Sequence, residues 1–223
     1  MEKKKRFNSK AKGNSFERRT SEDLSKIFRL SFMRTPSSGA MIGKSNFNRS
    51  ETLSETQILM VKGDIIVPIE LNCFTFECKF YNSFSCDSLF DSNKMLEGWV
   101  KQAKENIGDK QWILIYKSNR VNPNVCFDIS LLNKITSTGK KIRLESYLIY
   151  QGKYVITLFE DFFRTNKDYI LELNKDIVKY LKNKKEELLL IEQQKVDVTK
   201  CVKLNAIPTS GFVEDKEIIP GIL

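Results

Sequence analysis

The 223-residue chain contains no histidine. That absence excludes Ser-His-Asp and Cys-His nucleophilic catalysis, His-ligated zinc and the nuclease motifs in which histidine holds the metal. Acid–base work is left to carboxylates, lysine, tyrosine, metal-bound water or the substrate itself. Cysteine is sparse: five thiols, at positions 73, 78, 86, 126 and 201, odd in number and with no C-x-x-C pair. This pattern points away from a disulfide framework or a Cys-rich zinc site and toward inert free thiols in a reducing compartment. No apolar run reaches the length of about 18 residues that a membrane span needs, and no signal-peptide pattern is present. The expectation is a soluble, cytoplasmic protein with no membrane partner. Internal repeats and low-complexity blocks are also lacking.

What the chain does have is positive charge, +9 in all and unevenly spread. Residues 1–20 carry eight basic side chains against Glu2 and Glu17, a local charge of +6. Such an arm is either a solvated tail or a contact for a polyanion, of which nucleic acid is the commonest. The length suits one domain with a full core and is short for two.

Residues 1–12 read as a flexible basic arm. Asn14 and Glu17 stand at capping-box spacing before Phe16, Leu24, Ile27 and Phe28, so a helix is expected from 15 to about 29. Ser31–Arg34 reads as a short extended piece, and Thr35-Pro36-Ser37-Ser38-Gly39 as turn chemistry. Residues 40–57 are expected to form a polar, mobile loop, of the kind that is functional when it interrupts a compact domain. Strands are expected at about 58–68 and 71–81, with Pro68 ending the first. A helix follows over 93–106, capped by Ser92, with Met95, Leu96, Trp99, Val100 and Ala103 inward. Trp112–Tyr116 is a buried central strand, and Val125–Ile129 another strand. Gln151-Gly152-Lys153 joins a hairpin, and Glu160–Phe163 a short helix. From Lys167 to about Gln194 the sequence reads as a long helix striped by Ile170, Leu173, Ile177, Tyr180, Leu181, Leu188 and Ile191. Residues 166–223 thus form a C-terminal helix and tail beyond a core at 13–165. The order of elements indicates an α/β fold, a mixed β-sheet flanked by helices.

The chemistry concentrates in Phe74-Thr75-Phe76-Glu77-Cys78-Lys79-Phe80. Period-two alternation puts Phe74, Phe76, Cys78 and Phe80 on one face and Thr75, Glu77 and Lys79 on the other. Glu77 and Lys79 are then about 7 Å apart along the strand. Asp64 lies in the preceding strand, and if the two strands are neighbours the carboxylates meet. Two carboxylates with open oxygen positions suit Mg²⁺, which takes one or two carboxylates plus water and substrate oxygens. A divalent cation lowers the pKa of bound water and neutralises charge on a phosphate, the two obstacles to phosphodiester hydrolysis. The backbone carbonyl of Cys78 is a further oxygen within reach, and Lys79 can orient water or stabilise developing charge. The same residues also read as an exposed Glu–Lys pair on a half-solvated strand, with Asp64 a turn residue after Gly63.

Four blocks in order carry a resemblance. Gly13-Asn14-Ser15-Phe16-Glu17-Arg18, Arg34-Thr35-Pro36-Ser37-Ser38-Gly39-Ala40, Gly63-Asp64-Ile65 and Glu77-Cys78-Lys79 resemble the PD-(D/E)XK nuclease superfamily, and more narrowly its archaeal and phage-type Holliday junction resolvases. The resemblance spans about residues 13–116. It implies a restriction-endonuclease-like core, dependence on Mg²⁺ with Mn²⁺ as a substitute, a homodimer, and branched DNA as substrate; its phage side admits a phage-encoded chain. It assigns Asp64, Glu77 and Glu17 to the metal site, Lys79 as catalytic lysine, and Ser38 to the neighbourhood of the scissile phosphate. Gln102 falls on the helix that backs the site in many members. Arg18, Arg34, Lys44, Arg49 and Lys101 are the candidate phosphate contacts. Gly63 stands where the family has proline, and both the 40–64 gap and residues 165–223 exceed a compact resolvase.

Each outer residue also has a plain structural reading. Glu17 completes a capping box, Ser38 shapes a turn, Gln102 lies on a helix surface, and Lys101 and Lys104 are solvated. The aromatic residues around Phe74–Phe84, with Trp99 and Trp112, read as core. The functional expectation is a Mg²⁺-dependent, structure-selective DNA endonuclease of the resolvase type. A restriction-type, nicking or exonucleolytic enzyme on ordinary DNA shares the same core site. A catalytically idle nucleic-acid-binding protein on this fold is the non-enzymatic alternative.

Overall fold

The computed structural model describes residues 9–36, 63–84, 93–105, 107 and 110–204, with the side chains of 192–204 outside that set. Ser38, Lys44, Arg49, Ser92, the expected loop at 40–57 and the end of the chain lie outside the described residues. Met1–Lys179 forms one compact unit and Tyr180–Leu223 a second.

Among the described residues the first unit is built on a seven-stranded mixed sheet in the order β1-β2-β3-β4-β5-β7-β6. The strands are β1 (Met33–Arg34), β2 (Ile65–Ile66), β3 (Phe74–Tyr81), β4 (Gln111–Ser118), β5 (Asn124–Asp128), β6 (Tyr147–Tyr150) and β7 (Tyr154–Leu158). Only β3 and β4 run parallel; their pairing is joined through helix α2 (Lys94–Lys104), as a parallel crossover requires. The other helices are α1 (Ser9–Phe28), α3 (Ile129–Leu132), α4 (Phe159–Thr165) and α5 (Lys167–Leu204).

Alternation along β3 and β4 sorts side chains into two cores. Phe74, Phe76 and Cys78 of β3, with Ile113 and Ile115 of β4, meet Phe16, Leu24, Ile27 and Phe28 of α1, the α4 phenylalanines, and Tyr169, Ile170 and Leu173 of α5. On the opposite face Trp112, Leu114 and Tyr116 meet Leu96, Val100 and Ala103 of α2. β4 is covered on both faces, which is why its sequence is apolar without interruption. Phe76 is the hinge of the first core: its ring meets Phe163 edge-on at 5.8 Å and Phe32 at 6.3 Å.

The elements depart from the sequence expectation at their ends. α1 starts at Ser9 rather than 15: Lys10, Ala11 and Lys12 are good helix formers, and the helix carries on through Gly13. Asn14 is therefore inside the helix and caps nothing. The strand expected over 58–68 is paired only at Ile65–Ile66 within the described residues, and after Pro68 the chain turns through a 3₁₀ helix, Ile69–Leu71. α2 takes its cap from Asn93, whose Oδ1 accepts the Leu96 amide at 3.0 Å. The β6–β7 hairpin forms as expected, with Gln151 and Gly152 both at positive φ in its turn. The stripe on α5 packs at Ile170 and Leu173, whereas Tyr180, Leu188 and Ile191 are exposed in the second unit.

Candidate active site

The site begins with a backbone peculiarity. Gly63 has φ of +81°, and a Cβ there would sit 2.6 Å from the carbonyl oxygen of Phe76. Proline, fixed near φ of −65°, has no access to this conformation, so glycine is a structural requirement in this chain. The turn places Asp64 flat against β3. Its amide donates to the Phe76 carbonyl at 2.8 Å and its carbonyl accepts the Thr35 amide at 2.9 Å. Its side chain then reaches two residues along, and Oδ2 accepts the Cys78 amide at 2.8 Å.

Glu77 projects from β3 toward α2. Its Oε1 accepts Lys79 Nζ at 2.5 Å and Gln102 Nε2 at 2.6 Å. Strand periodicity delivers the lysine, and one turn of α2 delivers the glutamine. Gln102 lies exposed on the helix surface and at the same time donates to a buried carboxylate. Glu17 comes from α1, where the apolar stripe turns it inward. Its Oε2 accepts Arg34 Nε at 2.6 Å, and Arg34 Nη2 donates to Asn14 Oδ1 at 2.9 Å. Asn14 was legible only as a cap; its partner, twenty residues on, is supplied by the pairing of β1 with β2.

Glu17, Asp64 and Glu77 are 9%, 8% and 7% exposed. The Glu–Lys pair is therefore not a solvated surface pair. Burial, and then the charge of Asp64, push the Glu77 carboxyl up to about 7, against the pull of Lys79. Burial likewise raises Glu17, opposed by its bond to Arg34, with Asp64 adding to the rise. Three acids thus sense one another's field in a place with little water. Among the described residues no group of three His, Cys, Asp or Glu side chains closes into a metal cage. Asp64 and Glu77 instead form an open pair of carboxylates whose shared negative charge is only partly offset. That donor set fits a hard cation that keeps water or substrate oxygens in its remaining positions.

The described thiols contribute nothing to such a site. Cys73, Cys78 and Cys126 are free and buried. Burial pushes Cys126 up to about 12 and raises the other two. Arg18 and Lys101 are exposed. Lys104 is not simply solvated: its ammonium lies 4.7 Å from the Tyr154 ring and 5.2 Å from that of Trp112. Among the described residues no helix is long and apolar enough to cross a membrane.

A family model described as "phage putative PDDEXK endonuclease" matches residues 8–172. This range runs from the first turn of α1 into α5 and contains Glu17, Asp64, Glu77, Lys79 and Gln102. No curated protein and no solved structure matches the chain.

Proposed function

The chain belongs to this phage PDDEXK endonuclease family, and from that premise we propose that it is a Mg²⁺-dependent endonuclease that cuts branched DNA, in the manner of a Holliday junction resolvase. The observation that carries the nuclease reading is the convergence on β3. One acid is locked by the Cys78 amide, and a second is held between Lys79 and Gln102.

Asp64 and Glu77 would hold the cation, with the Cys78 carbonyl as a further oxygen and Glu17 near enough to share its field. A bound divalent cation supplies activated water and charge neutralisation at the phosphate. The protein's part is positional. The Cys78 amide stops Asp64 from rotating. Gln102 and Lys79 hold one oxygen of Glu77 and leave its other oxygen for the site. Lys79, an ammonium beside the reacting phosphate, stabilises charge as it develops. Arg34 clamps Glu17 through a two-pronged contact with α1, and its remaining donors suit a phosphate. Ser38, Lys44 and Arg49 are assigned to the same phosphate path from sequence alone, with Arg18 and Lys101 as outer contacts.

The preference for a junction rests on the Glu17 and Ser37-Ser38-Gly39-Ala40 blocks and on symmetry. A four-way junction is roughly two-fold symmetric, and an isologous homodimer presents two matched sites to it. The decisive measurement compares Mg²⁺-dependent cleavage of a four-way junction with that of a linear duplex of the same sequence. The expected result is strong preference for the junction. Equal cutting of the two makes the enzyme a nuclease of ordinary DNA. Asp64→Asn and Glu77→Gln are expected to lose cleavage by several orders of magnitude and to keep DNA binding, since the phosphate contacts are untouched. Unchanged cleavage in either variant places the site elsewhere.

A further inference from the structure

Beyond the acids, β3 continues to an aromatic residue with an unusual setting. Tyr81 is the last residue of the strand, four residues after Glu77 and two after Lys79, on the same face. It is 50% exposed, yet its ring is not loose. The ring lies against Trp99 of α2 at 6.0 Å between centroids. Trp99 is backed in turn by Phe84 at 6.0 Å, nearly parallel, and by Tyr116 of β4 at 5.9 Å. β3 and α2 therefore make two rungs: Glu77 with Gln102, and Tyr81 with Trp99, one helical turn earlier. The backbone below Tyr81 is also fixed. Tyr81 pairs in register with Ser118 of β4, and the next carbonyl, of Asn82, accepts Asn119 Nδ2 at 3.1 Å. One positive charge stands at the end of the strand, on its other face: Lys12 Nζ donates to Asn119 Oδ1 at 3.3 Å and lies 5.5 Å from the ring of Phe80.

We propose that Tyr81, held by Trp99, is a stacking site for an unpaired base of the DNA strand being cut. A lone exposed aromatic residue needs no such explanation. Three features set this one apart. It is the outer member of a packed aromatic row, so little freedom is lost when a base stacks on it. It shares a face of β3 with Glu77 and Lys79. Its distance from Glu77 also matches nucleic acid: four strand rises are about 13 Å, four nucleotides at a rise of about 3.4 Å along one strand, and fewer where the strand is splayed. Base stacking on an aromatic ring is tolerant of sequence, so the site would sense whether a base is free to leave its helix, not which base it is. The substrate class follows: DNA whose strands separate within a few nucleotides of the cleaved bond, as at a branch, a flap or a single strand. The proposal deepens the nuclease reading and rests on it for the identity of the strand.

The test measures binding by fluorescence anisotropy of the full chain, at low salt with EDTA so that no cleavage intervenes. Two labelled probes are compared: an oligothymidylate, and an abasic oligomer of the same length and charge. Wild type and Tyr81→Phe are expected to bind the oligothymidylate tighter by about fivefold to a hundredfold. Tyr81→Ala is expected to bind the two probes equally. Tyr81→Leu, which keeps bulk against Trp99 but has no π-face, should behave as the alanine variant does, and it guards against a folding defect. The proposal is overturned if wild type binds neither probe, if it does not distinguish them, if the alanine and leucine variants keep the preference, or if they weaken both probes alike. Failure of the nuclease reading shows separately, as absence of cleavage by wild type in Mg²⁺ or Mn²⁺, and does not alter the outcome in EDTA.

Discussion

Glu77 combines deep burial with a second acid nearby, and its folded-state titration near 7 instead of 4.5 has a defined sign. Between those values the folded chain keeps a proton that the unfolded chain has released. Stability therefore falls as pH rises through this window and is steady above it. Glu77→Gln removes the penalty. In chelator at about pH 8 the variant should be more stable than wild type by on the order of 3 kcal/mol, and the gain should vanish toward pH 4.5. Urea unfolding at the two pH values checks this; a variant no more stable at the higher pH means that the carboxylate is well solvated. Mg²⁺ should offset the same penalty, raising the melting temperature of wild type but not of Asp64→Asn or Glu77→Gln. Glu17 leads to the opposite kind of test. Arg34→Ala leaves it buried without its fork, for a loss of about 1–3 kcal/mol. Arg34→Lys should recover only part of that, because a single ammonium cannot reach Glu17 and Asn14 in the same planar geometry.

At the scale of elements, the short turn before β2 governs the site more than its length suggests. Gly63→Ala forces an L-residue to φ of +81° and drives a methyl group into the Phe76 carbonyl. The expected destabilisation is at least about 1–2 kcal/mol from the backbone alone. Asp64, the next residue, must move with it, so cleavage should fall further than stability, read as activity per folded molecule. A variant with full activity would show that Asp64 tolerates displacement. The sequence made the core face of β3 legible because its residues alternate strictly, and β4 because it is apolar without a gap. It misjudged the start of α1, since Asn14 and Glu17 fit a capping box equally well whether or not the helix begins before them. The exposed ring of Tyr81 was read as core for a similar reason. Local pattern reports that an aromatic residue lies on a strand, whereas its exposure depends on how much of its ring α2 covers through Trp99.

For the molecule as a whole, the described core closes within Met1–Lys179. Asn174 of α5 is buried and accepts the Cys73 amide at 2.8 Å at the start of β3. Glu172 and Asp176 hold the loop before β6 through Lys140, Ser137 and Thr138. Past Lys179 the described side chains are largely exposed. Deleting residues 180–223 should therefore leave a folded protein, with a melting temperature within a few degrees of the full chain; loss of cooperative melting would show that the second unit completes the core. The net charge of +9 implies a second whole-molecule property. DNA affinity should fall steeply and linearly on a log–log plot against salt, and it should do so alike for wild type and Glu77→Gln.

The sequence alone determined most of the order of strands and helices, though not α3, and the two-faced β3, and it supplied the four charged residues proposed for the site. These rest on local periodicity and on residue type, which a chain carries with it before folding. Tertiary structure decided what those residues are to one another. Pairing of β1 and β2 brought Arg34 to Glu17, the turn at Gly63 laid Asp64 against the Cys78 amide, and the antiparallel run of α2 over β3 set Gln102 on Glu77 and Trp99 beneath Tyr81. Each of these contacts joins residues far apart in the chain, and burial, which only the folded whole creates, turned an ordinary Glu–Lys pair into part of a buried acidic cluster.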